Sequence, residues 1–478
     1  MYINKGGINL GFKNAKLEEF NNYLRNRKVA VIGLGVSNIP LLDYLHNVKA
    51  EVWIFDNRPK EQIPKEIIYK INQYNFETSL GENYLSKLLG FEIIFRSPSC
   101  MPTMPELVAE RKRGAIITTE IEMLMEIAPC KIIGVTGSDG KTTTTTLIYE
   151  ILKKGGYNCY LGGNIGTPLF TKLSEMMPED IIVLELSSFQ LMEMKVSPDI
   201  AVITNISPNH LNIHKSYEEY IDAKKNIFKY QDENGLLVLN YDNDITKSCA
   251  QEACGEIRYF SSKEKLDNGI IVDDTVIKEC TNKLRRHIIN TEDILLRGIH
   301  NYENISAAIA ATKTLVNYDT IIEVISTFKG VEHRLEFIRD INGVKWYNDS
   351  IGTSPTRTIA GIKSFENIIL IAGGYDKHLD YLPIAKPIVE KVNSLILIGQ
   401  TAQKICDVVK KELEFQNKDM EIYMCNTLEE TVAVANSIAK SGQIVLFSPA
   451  SASFDMFKDF ADRGNKFKKL VNTIKIDE

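Results

Sequence analysis

Nine short runs rich in valine and isoleucine recur along the chain, and a segment long enough for a helix separates most of them. They fall into three groups: KVAVIGLG (28–35), EVWIFD (51–56) and EIIFRS (92–97); KIIGVTG (131–137), IIVLEL (181–186) and IAVITNI (200–206); IILIAGG (368–374), LILIG (395–399) and IVLFS (444–448). Runs this apolar, without polar alternation, suit strands buried on both faces, and helix-length spacers between them give the βαβ rhythm of a parallel sheet. The expectation is an α/β chain of three domains, 1–119, 120–330 and 331–478, which agrees with 478 residues at about 150 per domain. Residues 267–290 break the rhythm: they are polar and alternating, as in a small antiparallel flap.

Composition narrows the function classes. With 56 basic and 62 acidic residues the net charge is −6, so the general attraction that nucleic-acid binding needs is missing. No apolar run approaches the roughly 18 residues of a membrane span, which argues against membrane insertion. The first twenty residues, MYINKGGINLGFKNAKLEEF, hold no apolar core of signal-peptide length, so a cytoplasmic address is expected. Eight scattered cysteines without a C-x-x-C pair read as reduced thiols rather than disulfides or a zinc site.

The chemistry concentrates in GVTGSDGKTTTTTL (134–147), which follows an apolar strand and opens a helix-compatible segment. Glycine amides, a lysine and a helix N-terminus would converge there on phosphate oxygens. Lys141 would meet the outer phosphates and Thr142 would offer a hydroxyl to Mg²⁺. A strict G-x-x-x-x-G-K-[ST] loop would have its first glycine where Val135 stands, so this is a variant with Gly134 and Gly137 on either side. Glu185, at the end of the next apolar strand, is a carboxylate that could hold the cation. In the first domain Gly33 and Gly35 follow a strand, and Asp56 comes 21 residues after Gly35. A dehydrogenase is the natural rival reading, weakened because the third glycine of G-x-G-x-x-G is replaced by Asn38.

These segments together resemble the ATP-dependent Mur ligases, which build the peptide stem of bacterial cell-wall precursors. The likeness is carried by TGSDGKTTT (136–144), GGNIGTP (162–168), LELSSFQL (184–191), ITNISPNHLNIH (203–214), YIDAKKNIF (220–228), GIHNYENISAA (298–308) and EHR (332–334). LELSSFQL and SPASASFDMFKDFADRGNKF (448–467) look like the branch that adds D-glutamate to UDP-N-acetylmuramoyl-L-alanine. The resemblance implies a Rossmann-like UDP-binding domain, a central P-loop domain and a Rossmann-like C-terminal domain. The implied reaction passes through an acyl phosphate, consumes ATP with Mg²⁺, and is run by a monomer.

Carried over by residue, the resemblance implies ATP contacts at Gly137, Ser138, Asp139, Gly140, Lys141, Thr142, Thr143, Asn304 (with Asn301 nearby), Arg334 and Asp349. It places magnesium at Thr142, Glu185, His210 and Lys224, the last as a carbamate formed with CO₂. Lys141, His210 and Lys224 are the implied catalytic set. Ser37, Asp56, Asn57, Arg58, Ser97 and Asn164 are implied for the UDP substrate, and Thr353, Lys377, Ser453 and Phe460 for D-glutamate. The third domain is expected to close over the nucleotide. Ile351, Tyr375 and Ser99 depart from the commoner family residues Lys, Asp and Gly. The rivals are a sister ligase for another stem residue, a folate polyglutamating ligase, and a P-loop protein that only hydrolyses ATP. The third-residue enzyme's D-N-P-R string is absent here, which favours D-glutamate.

Overall fold

The computed structural model describes residues 12–208, 214–282, 284–377 and 379–475. The chain divides between Phe328 and Lys329 into two compact units. Among the described residues the first unit holds two sheets and the second holds one.

The first sheet runs in the order Glu77–Leu80, Glu51–Asp56, Lys28–Ile32, Ile93–Arg96, Ile116–Thr118, with every neighbouring pair parallel. The order reverses between Lys28–Ile32 and Ile93–Arg96. At such a reversal the loops leave the strand ends in opposite directions and open a crevice for a ligand. A Cβ on Gly33 would come within 2.6 Å of Ser97 Oγ, so the two crevice walls touch because position 33 has no side chain.

The central sheet runs in the order Leu284–Asn290, Val276–Thr281, Gly269–Asp273, Glu256–Ser261, Leu236–Asn240, Ile200–Ile203, Lys131–Thr136, Ile181–Glu185, Cys159–Gly163. Its strands from Gly269–Asp273 onward are parallel. Ile133, Val135 and Val183 meet Leu147, Ile148, Ile151 and Leu152 of the helix Lys141–Lys154, while Ile132, Ile182 and Leu184 face a second core. Cover on both faces is why these strands read as unbroken apolar runs. The second core is shared with the first sheet. Phe170 meets Tyr44 (5.0 Å) and Phe95 (6.4 Å) edge-on and joins the two sheets of this unit. Residues 269–290 are antiparallel, as their alternation suggested. They form no separate flap, however, because Gly269–Asp273 pairs in parallel with Glu256–Ser261 and the hairpins simply lengthen the central sheet.

In the second unit the order is Glu336–Ile341, Val344–Asn348, Ile444–Phe447, Ile368–Ala372, Val392–Ile398, Glu421–Cys425. All pairs are parallel except the opening hairpin. Among the described residues no helix is long and apolar enough to cross a membrane.

Candidate active site

The loop 137–140 connects the strand Lys131–Thr136 to the helix Lys141–Lys154, whose N-cap is Gly140. Threonine-rich helices are weak by propensity, since β-branched side chains lose rotamer freedom, and here packing compensates. Thr142, Thr144 and Thr145 are buried, and Thr145 Oγ1 donates to Lys141 O (2.7 Å).

Neighbouring segments hold the loop closely. Ser138 Oγ donates to Ser207 O (2.9 Å) and shares a hydrogen bond with the Tyr220 hydroxyl (2.8 Å). Thr204 Oγ1 donates to Asp139 O (2.5 Å), and Asp139 N donates to Asn205 Oδ1 (3.0 Å). A Cβ on Gly137 would lie 1.9 Å from Thr204 Oγ1, and one on Gly140 would lie 2.1 Å from Asn304 Oδ1. The two glycines are therefore required by close approach as well as by the turn. Lys141 Nζ donates to the carbonyls of Gly137 (2.8 Å) and Ser138 (2.9 Å). Thr143 is half-buried, and Asp139 is exposed.

Lys224, on the helix Tyr217–Lys225, reaches the same turn. Its Nζ donates to Gly137 O (2.8 Å) and Thr136 Oγ1 (3.3 Å), lies 4.8 Å from the centre of the Tyr220 ring, and is 1% exposed with the rest of the residue. Burial first, then the Lys141 cation, hold its amine well below the usual lysine range, against the opposing pull of Asp139 and Glu185. Lys225 differs: it points to Glu252 at the surface (2.6 Å), and that partner raises its pKa.

Glu185 is 2% exposed. Asn164 Nδ2 donates to its Oε1 (2.8 Å), but Oε2 has no hydrogen-bond partner among the described residues. A buried carboxylate oxygen left over beside a phosphate-type loop is an arrangement that a divalent cation satisfies, with the Thr142 hydroxyl at the head of the adjoining helix. A protonated Lys224 would oppose a second cation, whereas a carbamate on it would be a suitable ligand. His210 lies outside the described residues. Among those described, no group of three or more His, Cys, Asp or Glu side chains gathers as a metal site.

Asn304 is buried in the helix Ile299–Thr312, and its Oδ1 accepts from Thr144 Oγ1 (3.4 Å). Asn301, one turn earlier, instead donates to Arg297 O (2.8 Å) within its own chain segment.

At the first-sheet crevice, Asp56 is already committed. Its oxygens accept from Leu34 N (2.8 Å), Arg58 N (3.0 Å), Arg58 Nε (2.8 Å) and Arg58 Nη2 (2.7 Å). Burial opposes its ionisation, yet the hydrogen bonds from Arg58 and the two amides outweigh burial and hold the carboxyl below the ordinary range. Asp56 thus organises the Gly33–Leu34 turn and aims Arg58. Asn38, the residue at the missing third glycine, donates to Ile32 O and Gly33 O (3.0 Å each) and braces the same turn. Ser97 is buried and meets Ser99 Oγ at 3.0 Å, Ser37 is half-buried, and Asn57 is exposed.

The other expected residues lie in the second unit. Asp349 is buried and accepts from Ser448 Oγ (2.6 Å) and Leu335 N (3.3 Å). Burial pushes its carboxyl up to about 6, against the Ser448 hydrogen bond and the Arg334 cation, which pull it down. Ser453 is buried; Thr353 is half-buried; Lys377 is exposed, with Nζ 5.3 Å from the Phe454 ring centre. Phe460 contributes its carbonyl, which accepts from Ser350 Oγ (2.7 Å), while the residue itself is 37% exposed.

Several further residues shape these sites. Thr204, Asn205, Ser207 and Tyr220 clamp the phosphate loop, and all four stand inside the segments ITNISPNHLNIH (203–214) and YIDAKKNIF (220–228). His214, four residues after His210, is buried against Ser188 Oγ (3.0 Å) and stacks on Phe189 (5.2 Å). Arg463 is buried and donates to Ser350 Oγ and to the carbonyls of Ser350, Ser451 and Ala452, binding together the segments that carry Asp349 and Ser453.

Comparison with known proteins gives a consistent match. Residues 27–119 match the family model of the Mur ligase MurD-like N-terminal domain. Residues 135–312 match the Mur ligase middle domain, and 333–451 the Mur ligase glutamate ligase domain. The chain is 50% identical over 464 residues to the UDP-N-acetylmuramoylalanine--D-glutamate ligase of Acetivibrio thermocellus, covering 96% of this chain and 99% of that protein. It is 47% identical to the enzyme of the same name from Clostridium botulinum strain Hall, covering 96% and 100%. The fold resembles the solved MurF ligase of Thermotoga maritima in complex with ADP, with a TM-score of 0.51 at 18% identity over 95% of this chain and 96% of that one.

Proposed function

The chain belongs to the Mur ligase family, and from that premise we propose that it joins D-glutamate to UDP-N-acetylmuramoyl-L-alanine, with ATP cleaved to ADP and phosphate. The observation that carries the ATP half is the meeting of Lys141 and Lys224 on the Gly137 carbonyl, with the buried Glu185 carboxylate, whose Oε2 has no partner among the described residues, acting on the same amine. The choice of amino acid is supported by near-full-length likeness to enzymes named for D-glutamate.

In this reading the substrate's alanyl carboxylate oxygen attacks the γ-phosphorus of ATP, and the bond to ADP breaks. The nitrogen of D-glutamate then attacks the acyl carbon of the resulting acyl phosphate. The tetrahedral adduct loses phosphate and the nitrogen loses a proton, leaving an amide. Negative charge accumulates in both steps. In this reading Lys141 turns from the Gly137 and Ser138 carbonyls to the phosphates, the helix N-terminus adds its positive end, and Gly137, Ser138, Asp139, Gly140 and Thr143 line the phosphates. Bound Mg²⁺, held by Thr142, Glu185, His210 and carbamylated Lys224, would neutralise phosphate charge. Carbamylation needs a neutral amine, and the depressed basicity of Lys224 provides one more readily than a surface lysine does. Asn304, Arg334 and Asp349 are the ATP partners in this reading. Ser37, Asp56, Asn57, Arg58, Ser97 and Asn164 serve the UDP substrate, with Asp56 acting through Arg58. Thr353, Lys377, Ser453 and Phe460 serve D-glutamate, Phe460 through its carbonyl. The enzyme works as a cytoplasmic monomer.

The test is phosphate release with UDP-N-acetylmuramoyl-L-alanine against a panel of amino acids that includes both glutamate enantiomers. Turnover should require D-glutamate, and equal turnover with L-glutamate or with another amino acid would refute the assignment.

A further inference from the structure

We propose that Arg96 is a positioning residue that fixes the uridine-side loop relative to the phosphate-transfer machinery; this rests on the reading that the first-sheet crevice takes the UDP substrate. Arg96 ends the strand Ile93–Arg96 and is 4% exposed. Its Nη1 donates to Cys100 O (3.2 Å), across the loop that carries Ser97, and its Nη2 donates to Met192 O (2.9 Å) in the central part of the unit. These described hydrogen bonds go to carbonyls rather than to a carboxylate. An apolar residue of similar length would avoid the desolvation that a buried guanidinium costs, so the geometry of the two carbonyls is what the residue serves.

Met192 caps the short helix Ser188–Leu191, which begins three residues after Glu185. Leu191 O accepts from Asn226 Nδ2 (2.9 Å), and Asn226 is the C-cap of the helix that carries Lys224. Hydrogen bonds and one peptide link therefore lead from the Ser97 loop through Arg96, Met192, Leu191 and Asn226 to the Lys224 helix. On the same turn Lys195 N donates to Glu122 Oε1 (2.9 Å), while Glu193 meets Arg111 in a solvent-exposed ion pair (2.6 Å) that adds little to its rigidity. One end of the UDP substrate must sit in the crevice while its carboxylate reaches the γ-phosphate, so the spacing between the two sites has to be fixed. Arg96 is the buried part of that spacer.

The experiment uses the full chain and measures equilibrium binding of UDP-N-acetylmuramoyl-L-alanine and of a nonhydrolysable ATP analogue, together with steady-state kinetics. Arg96→Met should weaken UDP-substrate binding roughly tenfold and lower kcat, with ATP-analogue binding kept within about twofold. Arg96→Lys should recover part of the loss, because an ammonium can reach one carbonyl but not both. Arg111→Ala, which removes an exposed pair on the same turn, should behave like wild type. Combining Arg96→Met with Asn226→Ala should give less than the sum of the separate losses, as expected for members of one relay. Wild-type affinity for the UDP substrate in Arg96→Met, equal loss of both ligands, or additive losses in the double variant would overturn the proposal. If Arg96→Met does not fold, the same comparison in Arg96→Lys decides. Failure of the wild-type protein to bind the UDP substrate would instead refute the reading beneath it.

Discussion

Gly140→Ala isolates one contact of the phosphate loop. Gly140 has φ +80, a backbone conformation that costs an L-residue about 1–2 kcal/mol. The added Cβ would also lie 2.1 Å from Asn304 Oδ1, and restoring ordinary contact requires the amide to retreat by about 1 Å. Asn304 is buried, so the movement displaces it from the loop rather than into solvent. Gly156→Ala is the control, because Gly156 has φ +94 and nothing within 4 Å of its would-be Cβ. Both variants should lose stability in thermal unfolding, Gly156→Ala through backbone strain alone and Gly140→Ala by more, through strain and the clash together. Only Gly140→Ala should lose kcat/KM for ATP, by about 10- to 100-fold, the size of effect that a 1 Å misplacement produces in a reacting site. The reasoning is refuted if both variants keep wild-type ATP kinetics, or if Gly156→Ala loses as much ATP efficiency as Gly140→Ala.

Removing the charge in Lys141→Ala should lower turnover 10²-fold or more, roughly 3 kcal/mol, in a phosphate-release assay. Lys224→Ala should be severely impaired and partly rescued by formate or acetate, and a carbamate signal in ¹³C NMR with labelled bicarbonate should vanish with it; Lys225→Ala should keep both signal and activity. Asp349 has its carboxyl raised from 3.8 to about 6 in the fold, so the folded state binds more protons than the unfolded state between those values. This group's favourable contribution is present at low pH and is lost as pH rises through about 6. Asp349→Asn should therefore gain stability relative to wild type from pH 4 to 7 in chemical denaturation; a constant difference would contradict the buried carboxyl.

The strands that could be read from sequence are those buried on both faces, such as Lys131–Thr136 and Ile368–Ala372, because uniform burial leaves an uninterrupted apolar run. Edge strands were harder to see. Glu77–Leu80 and Glu421–Cys425 have one neighbour and mixed burial, so their composition does not distinguish them from loops. Leu236–Asn240 is fully buried, yet four apolar residues in a row cannot by themselves be told from part of a helix. The same contrast holds at the site. The glycines and lysine of the phosphate loop announce themselves by spacing, because backbone geometry and anion contact constrain residue type. Thr204, Asn205 and Tyr220 act through hydrogen bonds across 65 to 82 positions of sequence, and only the folded sheet brings them to the loop. Arg96 gives no signal in the chain, since its partner Met192 contributes only a carbonyl, which every residue has.

The most direct measurement of the proposed reaction labels the alanyl carboxylate of UDP-N-acetylmuramoyl-L-alanine with ¹⁸O and analyses the phosphate released during D-glutamate-dependent turnover. Passage through an acyl phosphate predicts that one carboxylate oxygen leaves with each phosphate. Unlabelled phosphate formed alongside the amide would contradict it.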